Sequence, residues 1–400
     1  MKIVQLVENL GIGGLPNYVL QLSWLLKNAG HEVLVAYTKG TPGAHLETAG
    51  LDVIHAPEYA DLSAVSPDII HIHLLSDIDY LEELSAQNNS IVIRSFHDYT
   101  STCLRRGKRR FPGDRCQRAL DYGCVAFGCL IGPPLPDANT RLPRIMNLPE
   151  KIREKDIYRG FDAAICGSHH MKGMLLNNGF AESKVFRIPY FSKFEAEAYN
   201  DIVKRDGVGT TRPFELLFSG QAVSGKGLEV LIEALGGVKE DWHLTVFCEG
   251  PRLEHAQALA KKLEIFDKIT FNGWAPQSVL IDAYKNADIF ILPSIWDDPG
   301  PLVGIEALAC GTPVVGFAVG GVPDYVIDGK TGFLVKDITA KGLERGIKRA
   351  IKDPEDLKAL AEPCKTHVIQ HHAEKKHLDD IMHVYNVAQE NLLSHNSLSA

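Results

Sequence analysis

Residues Pro293–Val315 read PSIWDDPGPLVGIEALACGTPVV. An apolar strand pattern, ADIFIL, leads into them. A Pro/Gly loop follows, and then a short apolar helix that Gly311 can cap. Two acids, Asp298 and Glu306, bracket the loop and the first turns of that helix. A helix N-terminus presents unpaired N–H groups and a partial positive charge, which suits a phosphate. A carboxylate just inside can accept both hydroxyls of a ribose. A nucleoside diphosphate needs that combination. The plain alternative is a strand, a loop and a helix with a solvated acid pair.

Outward from this stretch, strand and helix patterns alternate. Strands are expected at KIVQLV, EVLVAYT, DIIHIHL, SIVIRSF and DAAICGS in the first half. In the second half they are FELLFSG, HLTVFCEG, KITFNGW, DIFILPS, PVVGFAV and TGFLV. Helical spacing lies between them at Asn17–Ala29, Gly227–Leu235, Arg252–Leu263 and Gln277–Asn286. This alternation predicts an α/β chain with mostly parallel sheets covered on both faces. The pattern falls into two blocks, separated by a polar, irregular segment near Tyr190–Pro213. His371–Leu393 reads as a long final helix that crosses back to the first block. One insertion, Tyr99–Pro143, is rich in Arg, Cys, Gly and Pro and has little periodicity.

Composition narrows the class. The chain has 400 residues, more than one typical core, so two domains are expected. A hydrophobic content of 45% and a charged content of 23% are those of an ordinary globular protein. A net charge of −8 argues against nucleic acid as the partner. No apolar run approaches membrane-spanning length, and the N-terminus reads as a first strand, not a signal peptide. A cytoplasmic chain with mostly reduced cysteines is expected.

Ligands of open α/β sheets bind outside the carboxyl ends of the strands. Several chemically suggestive turns fall there. After the first strand, Gly11, Gly13 and Gly14 precede a helix and leave room for a diphosphate to approach the backbone. SGQAVSGKG follows the first strand of the second block, and Lys226 in it can meet a phosphate as a point charge. It is not a P-loop, because Gly227 stands where that motif needs Ser or Thr. Glu249 and Gly250 begin a further turn on the same rim, and Trp274 closes another where a base can stack.

With these residues in place the chain resembles the family-four retaining glycosyltransferases, which have the GT-B architecture of two facing Rossmann-like domains. That family carries two acids with seven residues between them, followed by an EAxAxGxPVV stretch. Here EALACGTPVV supplies the second acid, Glu306, while the first is Asp298 in place of Glu. The resemblance implies that Asp298 faces the transferred sugar and that Glu306 holds the ribose. Gly300 and Pro301 replace the usual Phe-Gly of the loop, and the backbone N–H groups from Gly300 through Leu302 to Val303 would meet the diphosphate. Gly220 and Lys226 match the family's phosphate-binding pair, but Gln221 stands where it has Arg. GIGGLPNYVLQLSWLLKNAGHEV matches its first loop and helix, with Gly14 at the diphosphate. FHD places His97 where the family has a histidine near the sugar.

The resemblance sets the expected domains at 1–195 with about 373–400, on the acceptor side, and 196–372, on the nucleotide-sugar side. Asp298, His97 and Lys226 are the expected catalytic group. The expected reaction is transfer with retention from a nucleotide diphosphate sugar, a UDP-sugar before a GDP-sugar, to a glycan or lipid-linked acceptor. Surface polysaccharide or glycolipid synthesis is the expected setting. No metal and no cofactor beyond the donor is expected, since helix ends and basic groups offset the diphosphate. The rivals are a nucleotide-sugar epimerase of GT-B fold and a non-catalytic nucleotide-sugar binding protein.

Three features remain beside that reading. His71 and His73 alternate along one strand, so only one is expected at the rim, and His73 is assigned to the acceptor. Arg105, Arg106, Arg109 and Arg110, with Lys108, Arg115 and Arg118, give the insertion a basic face. That face is either a solvated loop or an attractor for an anionic acceptor at the inner membrane surface. Cys103, Cys116, Cys124 and Cys129 lack the paired spacing of a zinc site and read as scattered thiols.

Overall fold

The computed structural model describes residues 1–11, 14–43, 48, 50–87, 89–109, 115–132, 144–201 and 211–398. The chain divides into two units, Met1–Ile188 with His377–Ala400, and Pro189–Lys376. In the first, seven parallel strands form one sheet: β1 Lys2–Asn9, β2 Glu32–Lys39, β3 Asp52–His55, β4 Ile69–Leu74, β5 Ile91–Phe96, β6 Ala163–Cys166 and β7 Val185–Arg187. Their spatial order is β3-β2-β1-β4-β5-β6-β7. The strand order reverses between β1 and β4, and that is where open α/β sheets bind ligands.

The second unit repeats the plan with β8 Phe214–Ser219, β9 Trp242–Phe247, β10 Ile269–Asn272, β11 Ile289–Leu292, β12 Val314–Phe317 and β13 Gly332–Val335. The order β10-β9-β8-β11-β12-β13 puts its switch between β8 and β11, and all pairings are parallel. Near-continuous apolar runs explain the arrangement. All of β11 and all of β12 are buried, as a strand covered on both faces requires.

Three helices position the functional rims. Helix α1, Gly14–Asn28, follows β1. Helix α2, Leu302–Ala309, follows β11 through the Pro/Gly loop. Helix α3, Glu374–Leu398, carries the chain back to the first unit, where Ile381, Val384, Tyr385 and Ala388 are buried. The expected final helix, His371–Leu393, corresponds to α3, which begins at Glu374 after a separate helix, Ala361–His371, has ended. Among the described residues no helix is long and apolar enough to cross a membrane.

Candidate functional site

In the second unit, three strand-end turns are tied together by backbone hydrogen bonds. The Gly220 N–H donates to Phe247 O, and the Ala222 N–H donates to Glu249 O at 2.8 Å. The Trp274 N–H donates to Glu249 Oε1 at 3.1 Å, so that carboxylate is engaged within the rim. Gln221, Glu249 and Gly250 are exposed, and Trp274 is 77% exposed. An indole this open offers a flat stacking face.

The turn of Gly220–Gly227 lies against the loop that opens the quoted stretch. The Ile295 N–H donates to Gly225 O at 2.9 Å. Gly227 takes φ +74°, and a Cβ there would sit 1.9 Å from Pro293 O. Only glycine accepts both the backbone angle and the contact. This close approach delivers Lys226, whose Nζ lies 2.5 Å from Asp298 Oδ2. The two residues read from separate motifs therefore form an ion pair.

The loop itself is held from below. Asp297 Oδ1 accepts from the Gly320 N–H at 3.1 Å, and Asp298 O accepts from the Gly321 N–H at 2.7 Å. The Tyr325 hydroxyl donates to Pro301 O at 3.2 Å. Pro301 caps α2 without a side-chain hydrogen bond, and the first turn of α2, which begins Leu302-Val303, carries no acid. The positive end of that helix is therefore not neutralised by its own side chains.

Glu306 is 6% exposed, one turn into α2. Lys193 Nζ lies 3.4 Å from its Oε1, and the Tyr284 hydroxyl donates to its Oε2 at 3.4 Å. Burial, and next the Glu306 charge, push the Tyr284 hydroxyl well above its ordinary pKa, so it stays a donor. Lys193, Tyr284 and Asp297 were not anticipated. Lys193 lies in the irregular segment before β8, where no periodicity marks it. Residues 189–195, expected in the first domain, cluster with the second unit.

In the first unit, Gly14 opens α1, and a Cβ on it would meet nothing within 4 Å. The expectation for His71 and His73 is corrected. Residues two apart on a strand share a face, so neither excludes the other. Both are fully buried, with ring centroids 4.3 Å apart. His73 Nδ1 lies 3.0 Å from His97 Nε2, so it supports His97 from inside. His97 itself is half-buried at the end of β5.

One member of the expected basic face of the insertion departs from it. Lys108 is 1% exposed, and its ammonium donates to Arg118 O at 2.8 Å. The Arg118 guanidinium stacks on Phe127 at 4.8 Å. Arg106 is exposed, whereas Arg105 and Arg109 are half-buried. Arg110 lies outside the described residues. Cys103, Cys116 and Cys124 are half-buried and Cys129 is buried. No metal-binding group of His, Cys, Asp or Glu occurs among the described residues.

Residues 202–366 match the family of glycosyl transferases group 1. An uncharacterized glycosyltransferase of Methanocaldococcus jannaschii is 27% identical over 177 residues, 44% of this chain and 45% of that protein. The GDP-mannose-dependent alpha-(1-6)-phosphatidylinositol monomannoside mannosyltransferase of Mycolicibacterium smegmatis is 31% identical over 166 residues, 39% of this chain and 43% of that protein. The chain thus spans less than half the length of these curated relatives. Among solved structures, Anabaena Alr3699/HepE in complex with UDP superposes with a TM-score of 0.70 at 16% identity, over 99% of this chain and 100% of that one. Residues 202–366, in the second unit, are thus similar to the group 1 glycosyl transferases, and the two Rossmann-like units have the GT-B fold.

Proposed function

We propose that the protein transfers a sugar from a nucleotide diphosphate sugar to a glycan or lipid-linked acceptor, with retention at the anomeric carbon and without a metal ion. The observation that carries this reading is the convergence of Lys226, Asp298 and Glu306 beside the acid-free N-terminus of α2. Glu306 accepts the ribose hydroxyls, and Trp274 stacks on the base. Lys226 leaves Asp298 for the diphosphate, whose charge grows as the sugar departs. The backbone N–H groups near Gly300–Val303 meet the same charge. This preorganised field is the largest contribution to the rate. Asp298, once released, orients the sugar, and the family resemblance assigns His97 to the sugar as well.

The match of residues 202–366 to the group 1 family supports the reaction class; the UDP of the Anabaena complex is in keeping with a uridine nucleotide, and the GDP-mannose of the mycobacterial relative with a guanosine one. The exposed Arg106 and the neighbouring Arg105 and Arg109 favour an anionic, lipid-linked acceptor at the cytoplasmic face of a membrane, in surface polysaccharide or glycolipid synthesis. The test is to incubate the purified chain in EDTA with UDP- and GDP-sugars and a polyprenyl-phosphate-linked sugar. Transfer to the acceptor is expected. Consumption of donor without acceptor would favour epimerisation instead, and activity absent in EDTA but restored by Mg²⁺ would contradict the metal-free account.

A further inference from the structure

The face of the first sheet that α3 covers carries an unbroken line of polar side chains. Gln5 on β1 stands opposite His71 on β4 in the parallel register. His97 Nε2 lies 3.0 Å from His73 Nδ1, and His73 Nε2 lies 2.6 Å from Gln5 Oε1. On the other side the Gln5 amide nitrogen donates to the Tyr385 hydroxyl at 3.2 Å. That hydroxyl lies 2.7 Å from His71 Nδ1, and His71 Nε2 lies 2.7 Å from Ser95 Oγ. Gln5, His71, His73 and Tyr385 are fully buried. Burial, together with nearby charge that includes Arg94 and His377, holds all three imidazoles below their ordinary pKa, so they are neutral.

Neutrality makes the direction of every bond in this line decidable. A carboxamide oxygen only accepts and its nitrogen only donates, while a neutral imidazole has one of each. Gln5 Oε1 therefore requires the proton of His73 on Nε2. Nδ1 of His73 is then an acceptor, so His97 must present its own proton from Nε2. In the opposite direction Tyr385 accepts from Gln5 and gives its proton to His71 Nδ1, and His71 Nε2 donates to Ser95. All three rings take the Nε2–H form, the more stable tautomer of a free imidazole. Turning the Gln5 amide over would reverse every bond and force the less stable Nδ1–H form on all three.

We propose that Gln5 and His73 are positioning residues that hold His97 as the Nε2–H tautomer, so that its Nδ1 is an acceptor. Resting on the assignment of His97 to the sugar, this makes the group it recognises a hydroxyl that can give a proton, not a carboxylate or an ether oxygen. Tyr18 fixes the ring plane as well, with its ring centroid 5.0 Å from that of His97 and its hydroxyl 2.8 Å from His377 Nε2 on α3.

The test is a two-bond ¹H–¹⁵N correlation spectrum of the full chain labelled at the histidine ring nitrogens, near neutral pH, with His73→Gln and His97→Gln for assignment. The expected result is His71, His73 and His97 all neutral and protonated at Nε2. A proton on Nδ1 of His97, or a doubly protonated ring, overturns the proposal whether or not sugar is transferred. An Nε2–H His97 in a chain that transfers no sugar instead sinks the functional reading and leaves the tautomer assignment standing. Gln5→Leu is expected to give a mixed His97 tautomer and to lower kcat about tenfold. Tyr385→Phe, which spares the Gln5–His73 bond, is expected to change the His71 signal only. A folded Gln5→Leu variant whose His97 remains wholly Nε2–H and whose kcat is unchanged removes Gln5 from the role.

Discussion

Lys226 and Asp298 each have a role only if they separate. They neutralise one another across 2.5 Å. A diphosphate carries more charge than one carboxylate and competes for the ammonium at close range. Lys226→Ala is therefore expected to lower kcat about 10²-fold, the scale of removing one preorganised donor to a developing anion. Acceptor KM should stay within about twofold of the parent. An unchanged kcat would show that the helix end alone meets the diphosphate. Lys226, Asp298 and Glu306 were legible because each follows a strand at a recognisable spacing. Lys193 was not, since nothing in an irregular polar stretch distinguishes one lysine from another. Lys108 misled in the other direction. Its charge pattern suggested solvent, whereas the ammonium is satisfied by the Arg118 carbonyl inside the insertion.

At the scale of elements, the approach of the Gly220–Gly227 turn to the loop after β11 makes the ion pair. Gly227→Ala tests it. Alanine must adopt φ +74° and find room 1.9 Å from a carbonyl oxygen. Adding the positive-φ cost to the overpacking cost gives a destabilisation of roughly 2–4 kcal/mol, read as a lower urea midpoint at unchanged m-value. A loss under ~0.5 kcal/mol would mean that the turn relaxes freely. The central strands were legible because double burial demands long apolar runs. The strands Asp52–His55 and Val185–Arg187 were missed. They are short sheet edges, largely half-exposed, and their sequences carry too little apolar pattern. The two-residue period of β4 was available in the sequence but was misread. It puts His71 and His73 on one face, beneath α3.

For the whole molecule, a connection very long in sequence is fully buried, since Tyr385 bonds Gln5 across 380 positions. It ties α3 to the middle of the first sheet and leaves the histidines neutral. His71 is lowered from 6.5 to about 3. Above pH 6.5 neither state binds the extra proton. As pH falls below 6.5 the unfolded chain protonates and the folded site does not, so stability declines until the folded group titrates near 3. The slope is about 1.4 kcal/mol per pH unit for each such histidine, or roughly 2 kcal/mol between pH 6.5 and 5. Urea unfolding of the full chain at pH 7 and pH 5 checks this, and equal stability at both would refute the buried neutral cluster. The return of the last helix was readable as a pattern, whereas the polar line it seals required the fold. The most direct measurement of the central claim is calorimetric titration of the full chain with UDP and GDP, repeated with Glu306→Gln. That substitution keeps the shape and removes the charge of a group whose hydrogen bonds contribute roughly 1.5–3 kcal/mol. The account predicts saturable binding of one nucleoside diphosphate, weakened at least about tenfold in a variant whose thermal midpoint is nearly unchanged. Binding of neither nucleotide, or equal binding by parent and variant, would contradict it.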